Sequence, residues 1–323
     1  MKVGFIGLGT MGAYMAANLS RYLESSNHGF VVHDIRRESA EPFLAKGATW
    51  ADSPRQLAES CDVVFLSLPG PKEVEAVATA ADAGLLGGLR KGAAVFDLST
   101  NAPSMVRKLA AEFSAQGRHF LDAPVSGGPS GARSGRLAVW IGGDKAAFEE
   151  HKALLDAFAD QARYIGAIGA GSVAKLVHNC AGYAIQTALA EVFTMGVKGG
   201  VEPLALWEAV RTGAGGRSRT FDRLVDQFLP NKYEPPSFAL KLAFKDMTLA
   251  TDLGRELGVP MRLANMAFAE MSEAMARGWD GQDSRSAMKL QIERAGVEIA
   301  VDPKRIAEAL TRDPPATGDP KRK

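Results

Sequence analysis

Lys175 and Asn179 stand four residues apart in GAGSVAKLVHNCAGYAIQ (169–186), whose apolar spacing predicts the start of a long helix. Four residues make one helical turn, so the two side chains share a stripe that Gly182 and Gln186 continue. A lysine screened from water has its charged form penalised, which lowers its pKa. From an ordinary value of about 10.4, burial brings a lysine towards roughly 7–8, the range useful to a general acid/base. Asn179 can hydrogen-bond the same substrate oxygen without competing for the proton. A lone helical lysine more often snorkels to the surface, so spacing alone leaves both readings open.

A second group of residues suits anions. Ser126, Gly127 and Gly128 follow the strand-like run HFLDAPV (119–125). They offer a hydroxyl and unobstructed backbone N–H groups, the makings of a small nest for a carboxylate. A glycine hinge between strands explains the same residues equally well. In GFIGLGTMG, Gly7, Gly9 and Gly12 hold the G-x-G-x-x-G register, with Leu8, Thr10 and Met11 between them. A strand precedes this loop and a helix follows, which is the context a dinucleotide pyrophosphate needs at a helix N-terminus. Asp34 ends the next strand-like run, near the spacing of about 20 residues at which a carboxylate takes ribose hydroxyls. It favours NAD over NADP. Arg36 and Arg37 could bind a phosphate, but they read better as the solvated start of the next helix. Leu68 and Pro69, then Ser99 and Thr100, close two further strands and point to the same crevice, or else form plain strand-end turns.

The elements that must position these residues change character along the chain. Strand-like runs at 2–7, 30–34, 63–69, 93–99, 119–125, 136–143 and 162–166 alternate with helical patterns at 11–24, 38–46, 103–116 and 145–158. That alternation predicts an α/β fold with a Rossmann-type, doubly wound, mainly parallel sheet over 1–166. Helical periodicity then takes over at about 170–197, 203–213, 218–229, 238–257, 261–276 and 284–295. We expect an all-α C-terminal domain over 167–300, joined by an inter-domain helix at about 170–197 that turns Lys175 to the cleft. A Pro-rich disordered tail is expected over 312–323.

The 323 residues are 46% hydrophobic with a net charge of +1, which points to neither nucleic acid nor a membrane as main partner. Cys61 and Cys180 lack metal spacing, and the histidines form no metal cluster, so no metal is expected. The apolar start is too short and too glycine-rich for a secretory leader, and no run of about 18 apolar residues occurs. The chain reads as cytoplasmic.

Taken in order, GFIGLGTMGAYMAANL (4–19), DLST followed by Pro103, DAPVSGG continuing to GARSGRLAVWIGG, GAGSVAKLVHN and LAFKDMTLA (242–250) resemble the β-hydroxyacid dehydrogenase family over about residues 2–300. That family includes 3-hydroxyisobutyrate dehydrogenases, tartronate and succinic semialdehyde and glyoxylate reductases, and serine and threonate dehydrogenases. The resemblance implies hydride transfer between a nicotinamide cofactor, NAD or else NADP, and a small 3-hydroxy acid, or reduction of small aldehyde acids. It implies that Ser126, Gly127 and Gly128 hold the substrate carboxylate, that Lys175 is the acid/base and that Asn179 is its polar partner. It places Leu68, Pro69 and Thr100 against the cofactor, and Lys245, with its neighbour Asp246, near cofactor and substrate. A homodimer or homotetramer through the helical domain is implied too. Three departures stand out: His178 where members carry a first asparagine, Arg136 in GARSGRL, and Arg217 and Arg219 around Ser218. The histidine reads as a packed or inter-domain residue rather than a second acid. The arginines read as surface partners or as readers of a second anionic group. An imine reductase tends to lack the lysine, a phosphogluconate-type enzyme has a much longer helical region, and a non-catalytic scaffold would not need Lys175.

Overall fold

Val63–Leu66 and Ala94–Asp97 are buried at every residue, as strands in the middle of a sheet covered on both faces must be. They belong to a computed structural model that describes residues 1–198, 200–212, 221–256 and 261–312. Two compact units divide the chain, Met1–Val177 and His178–Lys323.

The first unit contains strands β1 (Lys2–Ile6), β2 (Gly29–His33), β3 (Thr49–Trp50), β4 (Val63–Leu66), β5 (Ala94–Asp97), β6 (His119–Asp122), β7 (Val125–Ser126), β8 (Leu137–Gly142) and β9 (Ala159–Gly166). Between them run α1 (Gly12–Ser25), α2 (Glu41–Leu44), α3 (Pro54–Ser60), α4 (Pro71–Thr79), α5 (Leu85–Gly88), α6 (Pro103–Ser114), α7 (Gly128–Ser134) and α8 (Lys145–Asp156). The sheet order is β3-β2-β1-β4-β5-β6-β8-β7, with β9 beside β8. Pairing is parallel except where β8 meets β6 and β7. Side chains alternate between the faces. Phe5, Phe65 and Phe96 stack on one side, with centroids 6.3 and 5.4 Å apart, while Ile6, Val64, Leu66 and Val95 fill the other. This is the doubly wound arrangement that the alternating pattern predicts. It brings the ends of β1, β2, β4, β5 and β6 to one edge.

Helix starts follow local chemistry. Ser53 accepts from Gln56 N–H and Asp144 from Ala147 N–H, while Pro54, Pro71 and Pro103 open their helices. The long helix α9 (Ala170–Lys198) begins in the first unit and continues into the second.

The second unit adds α10 (Pro203–Thr212), α11 (Leu240–Glu256), α12 (Arg262–Ala276), α13 (Lys289–Ala295) and α14 (Pro303–Arg312). Its core gathers Phe193, Trp207, Phe228, Leu229, Ile292 and Ile299. Three expectations need correction. The helix expected over 218–229 is, among the described residues, a 3₁₀ turn at Phe221–Leu224 followed by turns. Its apolar spacing still buries Leu224, Phe228 and Leu229, but Leu229 O accepts from Val301 N instead of extending a helix, and Pro230 follows. Ser284–Met288 is likewise 3₁₀ before α13. Helix α14 runs past the limit of 300 expected for helical structure, and of the tail expected over 312–323, Arg312 ends that helix while 313–323 lie outside the described residues.

Candidate active site

The glycine-rich loop follows from the sharp exit of β1. Gly7 has φ +95°, and a Cβ there would fall inside contact distance of the Ser67 carbonyl at the end of β4. A Cβ on Gly12 would collide with the Gly7 carbonyl, so α1 can pack this tightly only on glycine. Gly9 and Thr10 are exposed, and a Cβ on Gly9 would meet nothing within 4 Å. No side chain caps α1 and no acidic residue sits in its first turn. Open backbone beside an uncapped helix N-terminus fits a pyrophosphate.

Asp34 lies directly after β2. Its Oδ2 accepts from Leu8 N at 2.6 Å and its Oδ1 from Arg36 N at 2.9 Å. It therefore ties the glycine loop to the second strand, and its carboxylate keeps further acceptor capacity for ribose hydroxyls. Arg37 turns away towards β3, its guanidinium 5.3 Å over the Trp50 ring and 3.9 Å from Asp52.

The β4 and β5 ends are joined by a relay that the sequence reading missed. Leu68 N donates to Ser99 Oγ at 2.9 Å. Ser99 N donates to Asp97 Oδ1 at 3.0 Å, and Asn101 Nδ2 to Asp97 Oδ2 at 3.1 Å. Asp97 is fully buried, and burial pushes its carboxyl up to about 6, against the pull of its bonds to Asn101 and Ser99. A polar DLSTN run closing an apolar strand was the signal available. Gly7, Gly12 and Leu68 meet at this edge, Pro69 is exposed and Thr100 half-buried.

The Ser126–Gly128 turn leads from β7 into α7, with φ +134° at Gly127 and +61° at Gly128. Ser126 is half-buried and both glycines are exposed. Lys175, in the second turn of α9, is half-buried. Arg136 donates to Asp160 at 3.3 Å, the surface pairing that its position suggested. His178 is exposed, as is Val177 before it, so it is not the packed residue expected. Arg217, Ser218 and Arg219 lie outside the described residues.

In the second unit, Asn179 Nδ2 donates to Asp246 Oδ2 at 2.6 Å. Lys245 Nζ lies 3.1 Å from Asp246 Oδ1. Asp246 is 2% exposed, so this carboxylate collects an amide and an ammonium in a shielded place. Its sequence signal was the KD pair in LAFKDMTLA. No helix of the described residues is long and apolar enough to cross a membrane.

Comparison with known proteins agrees with this fold. Residues 2–166 fit the model of the NAD binding domain of 6-phosphogluconate dehydrogenase. Residues 169–291 fit that of the NAD-binding region of NADP-dependent 3-hydroxyisobutyrate dehydrogenase. The chain is 31% identical over 302 residues to 2-(hydroxymethyl)glutarate dehydrogenase of Eubacterium barkeri, covering 93% of this chain and 98% of that one. It is 32% identical to mitochondrial 3-hydroxyisobutyrate dehydrogenase of Mus musculus, covering 88% and 85%. The solved structure of Mycobacterium tuberculosis 3-hydroxyisobutyrate dehydrogenase with L-serine superimposes with a TM-score of 0.77 at 28% identity, covering 90% of this chain and 98% of that one. This chain belongs to the β-hydroxyacid dehydrogenase family of NAD(P)-dependent oxidoreductases.

Proposed function

We propose that this protein oxidises a small 3-hydroxy acid with NAD, and reduces the corresponding aldehyde acid in reverse, with Lys175 as general acid/base. The bound nicotinamide supplies the hydride chemistry. The Gly7–Gly12 loop, including Leu8, Gly9, Thr10 and Met11, holds the pyrophosphate at the start of α1, and Asp34 takes the adenosine ribose. Leu68, Pro69, Thr100 and Lys245 complete the cofactor contacts.

Ser126, Gly127 and Gly128 hold the substrate carboxylate. In oxidation, neutral Lys175 Nζ takes the proton of the hydroxyl while the carbon gives up hydride. In reduction, the ammonium returns that proton to the aldehyde oxygen. Asn179 steadies the same oxygen. The observation that carries this reading is a half-buried lysine one helical turn from an asparagine whose amide is held by buried Asp246. The cofactor domain spans 1–166 and the helical domain runs from 167 through α14, and the protein works as a cytoplasmic homodimer or homotetramer built on its helical part.

The test is NADH formation with 3-hydroxyisobutyrate, 3-hydroxypropionate and serine, and NADH consumption with tartronate and succinic semialdehydes and glyoxylate, each repeated with NADP(H). Lys175→Ala should lose about 10²–10⁴ in kcat, the usual contribution of a positioned acid/base, and still bind cofactor. Near-wild-type turnover in that variant sinks the mechanism. Cofactor binding without turnover of any substrate overturns the enzymatic reading.

A further inference from the structure

Asp122 ends β6, is 1% exposed and has no role in the mechanism above. Its Oδ1 accepts from Gly169 N at 2.8 Å and its Oδ2 from Ser172 N at 2.6 Å. These donors lie at the start of α9, where backbone N–H groups have no acceptor within the helix. The negative carboxylate also meets the positive end of the helix dipole. The fit is close on both sides. A Cβ on Gly142 would come within 2.5 Å of Oδ1, and one on Gly171 within 3.0 Å of Oδ2. Strand β8 and the helix thus form a slot around this side chain that two glycines keep open.

Two parts of the proposed site leave from this point. Four residues after Asp122 comes Ser126, and three residues after Ser172 comes Lys175. All of these residues belong to the first unit. We propose that Asp122 is a positioning residue: its carboxylate fixes the first turn of α9 against the strand feeding the Ser126–Gly128 loop, and so sets Lys175 relative to the group that holds the substrate. This rests on Lys175 being the acid/base.

A carboxylate is required because two N–H groups converge on its two oxygens. An asparagine would turn its NH₂ towards one of them, leaving a buried donor facing a donor. The shift of α9 that relieves this moves Lys175, and misplacement by about 1 Å can cost about 10²-fold in rate.

The experiment compares the full-length protein with Asp122→Asn, Lys175→Ala and the double variant, followed as single turnovers so that slow reactions stay readable. Circular dichroism and Tm check folding, and NADH titration gives cofactor Kd. Asp122→Asn should lower the rate about 10–100-fold with cofactor Kd changed less than about threefold. In the Lys175→Ala background the same substitution should change the rate less than about threefold, the non-additivity of residues that act as one. Losses that multiply in both backgrounds, or a cofactor Kd that weakens in step with the rate, overturn the role assigned to Asp122. Near-wild-type turnover in Lys175→Ala is a different result and overturns the acid/base reading itself. Should Asp122→Asn fail to fold, Asp122→Ser keeps a smaller acceptor without presenting an NH₂ to the two N–H groups, releases at least one of them, and carries the same expectations.

Discussion

Asp97 and Asp122 are register partners on β5 and β6, two buried carboxylates side by side at the ends of adjacent parallel strands. Their surroundings differ. Asp122 faces two backbone N–H groups of α9, whereas Asp97 is raised to about 6, mostly by burial, with a further push from Asp122.

Asp97 therefore makes stability depend on pH in an unusual direction. Its carboxyl moves from 3.8 to about 6 on folding, so between those values the folded chain binds the proton more tightly. The stabilisation is complete below about 4 and is lost as pH rises through about 6, a swing on the order of 3 kcal/mol at 1.36 kcal/mol per pKa unit. Asp97→Asn removes it. Urea unfolding of both proteins should show the variant gaining on the parent between pH 4.5 and pH 8. A constant difference across that range would contradict the assignment.

Much of this site could be read from residue order, and the unread part has one physical cause. Gly7, Gly9 and Gly12 announce themselves because each answers a local backbone demand. Asp34 is found by its distance from that loop, but its bond to Leu8 spans 26 residues and appears only once β1 and β2 pair. Asp122 stood in the DAPVSGG motif without a role, since its partners lie 47 and 50 residues on. The segment 218–229 shows the opposite failure. Its apolar spacing is real, yet Phe228 and Leu229 enter the core from turns rather than from a helix of their own, Phe228 against Phe193 of α9.

Gly9 and Gly12 should part company on substitution. A Cβ on Gly12 strikes the Gly7 carbonyl, so Gly12→Ala should cost about 1–3 kcal/mol of stability and weaken cofactor binding as well. A Cβ on Gly9 meets only open space, so Gly9→Ala should leave Tm unchanged while still weakening NADH. Tm and NADH fluorescence titration of the two variants separate the outcomes. Unchanged cofactor affinity in Gly9→Ala would remove this loop from the pyrophosphate site.

Asp34 should govern cofactor choice. Asp34→Ala deletes the acceptor for Leu8 N and the proposed ribose contact, charged hydrogen bonds worth about 1.5–3 kcal/mol each. KM for NAD should rise at least about tenfold, and the preference for NAD over NADP should shrink, because a 2′-phosphate no longer meets a carboxylate. Arg37 is engaged with Trp50 and Asp52, so the gain for NADP should be smaller than the loss for NAD. Kinetics of the variant with both cofactors decide this, and an unchanged NAD/NADP ratio would show that the discrimination lies elsewhere.

Asp246 offers a way to separate Asn179 from Lys245. Its Oδ2 holds the Asn179 amide and its Oδ1 faces the Lys245 ammonium. Asp246→Asn keeps a carbonyl oxygen that can accept from Asn179 but removes the charge that pairs with Lys245. Asp246→Ala removes both and leaves the half-buried Asn179 amide without that acceptor. If Asn179 steadies the reacting oxygen and Lys245 serves the cofactor, KM for NAD should rise in both variants. The rate should fall much further in Asp246→Ala, about tenfold or more for a misdirected contact at the reacting centre. Asp246→Asn should retain most of it. Measuring kcat and KM for both variants, with Tm as the control for folding, tests the division. Equal losses of kcat in the two would mean that the charge, and not the orientation of Asn179, is what the reaction uses.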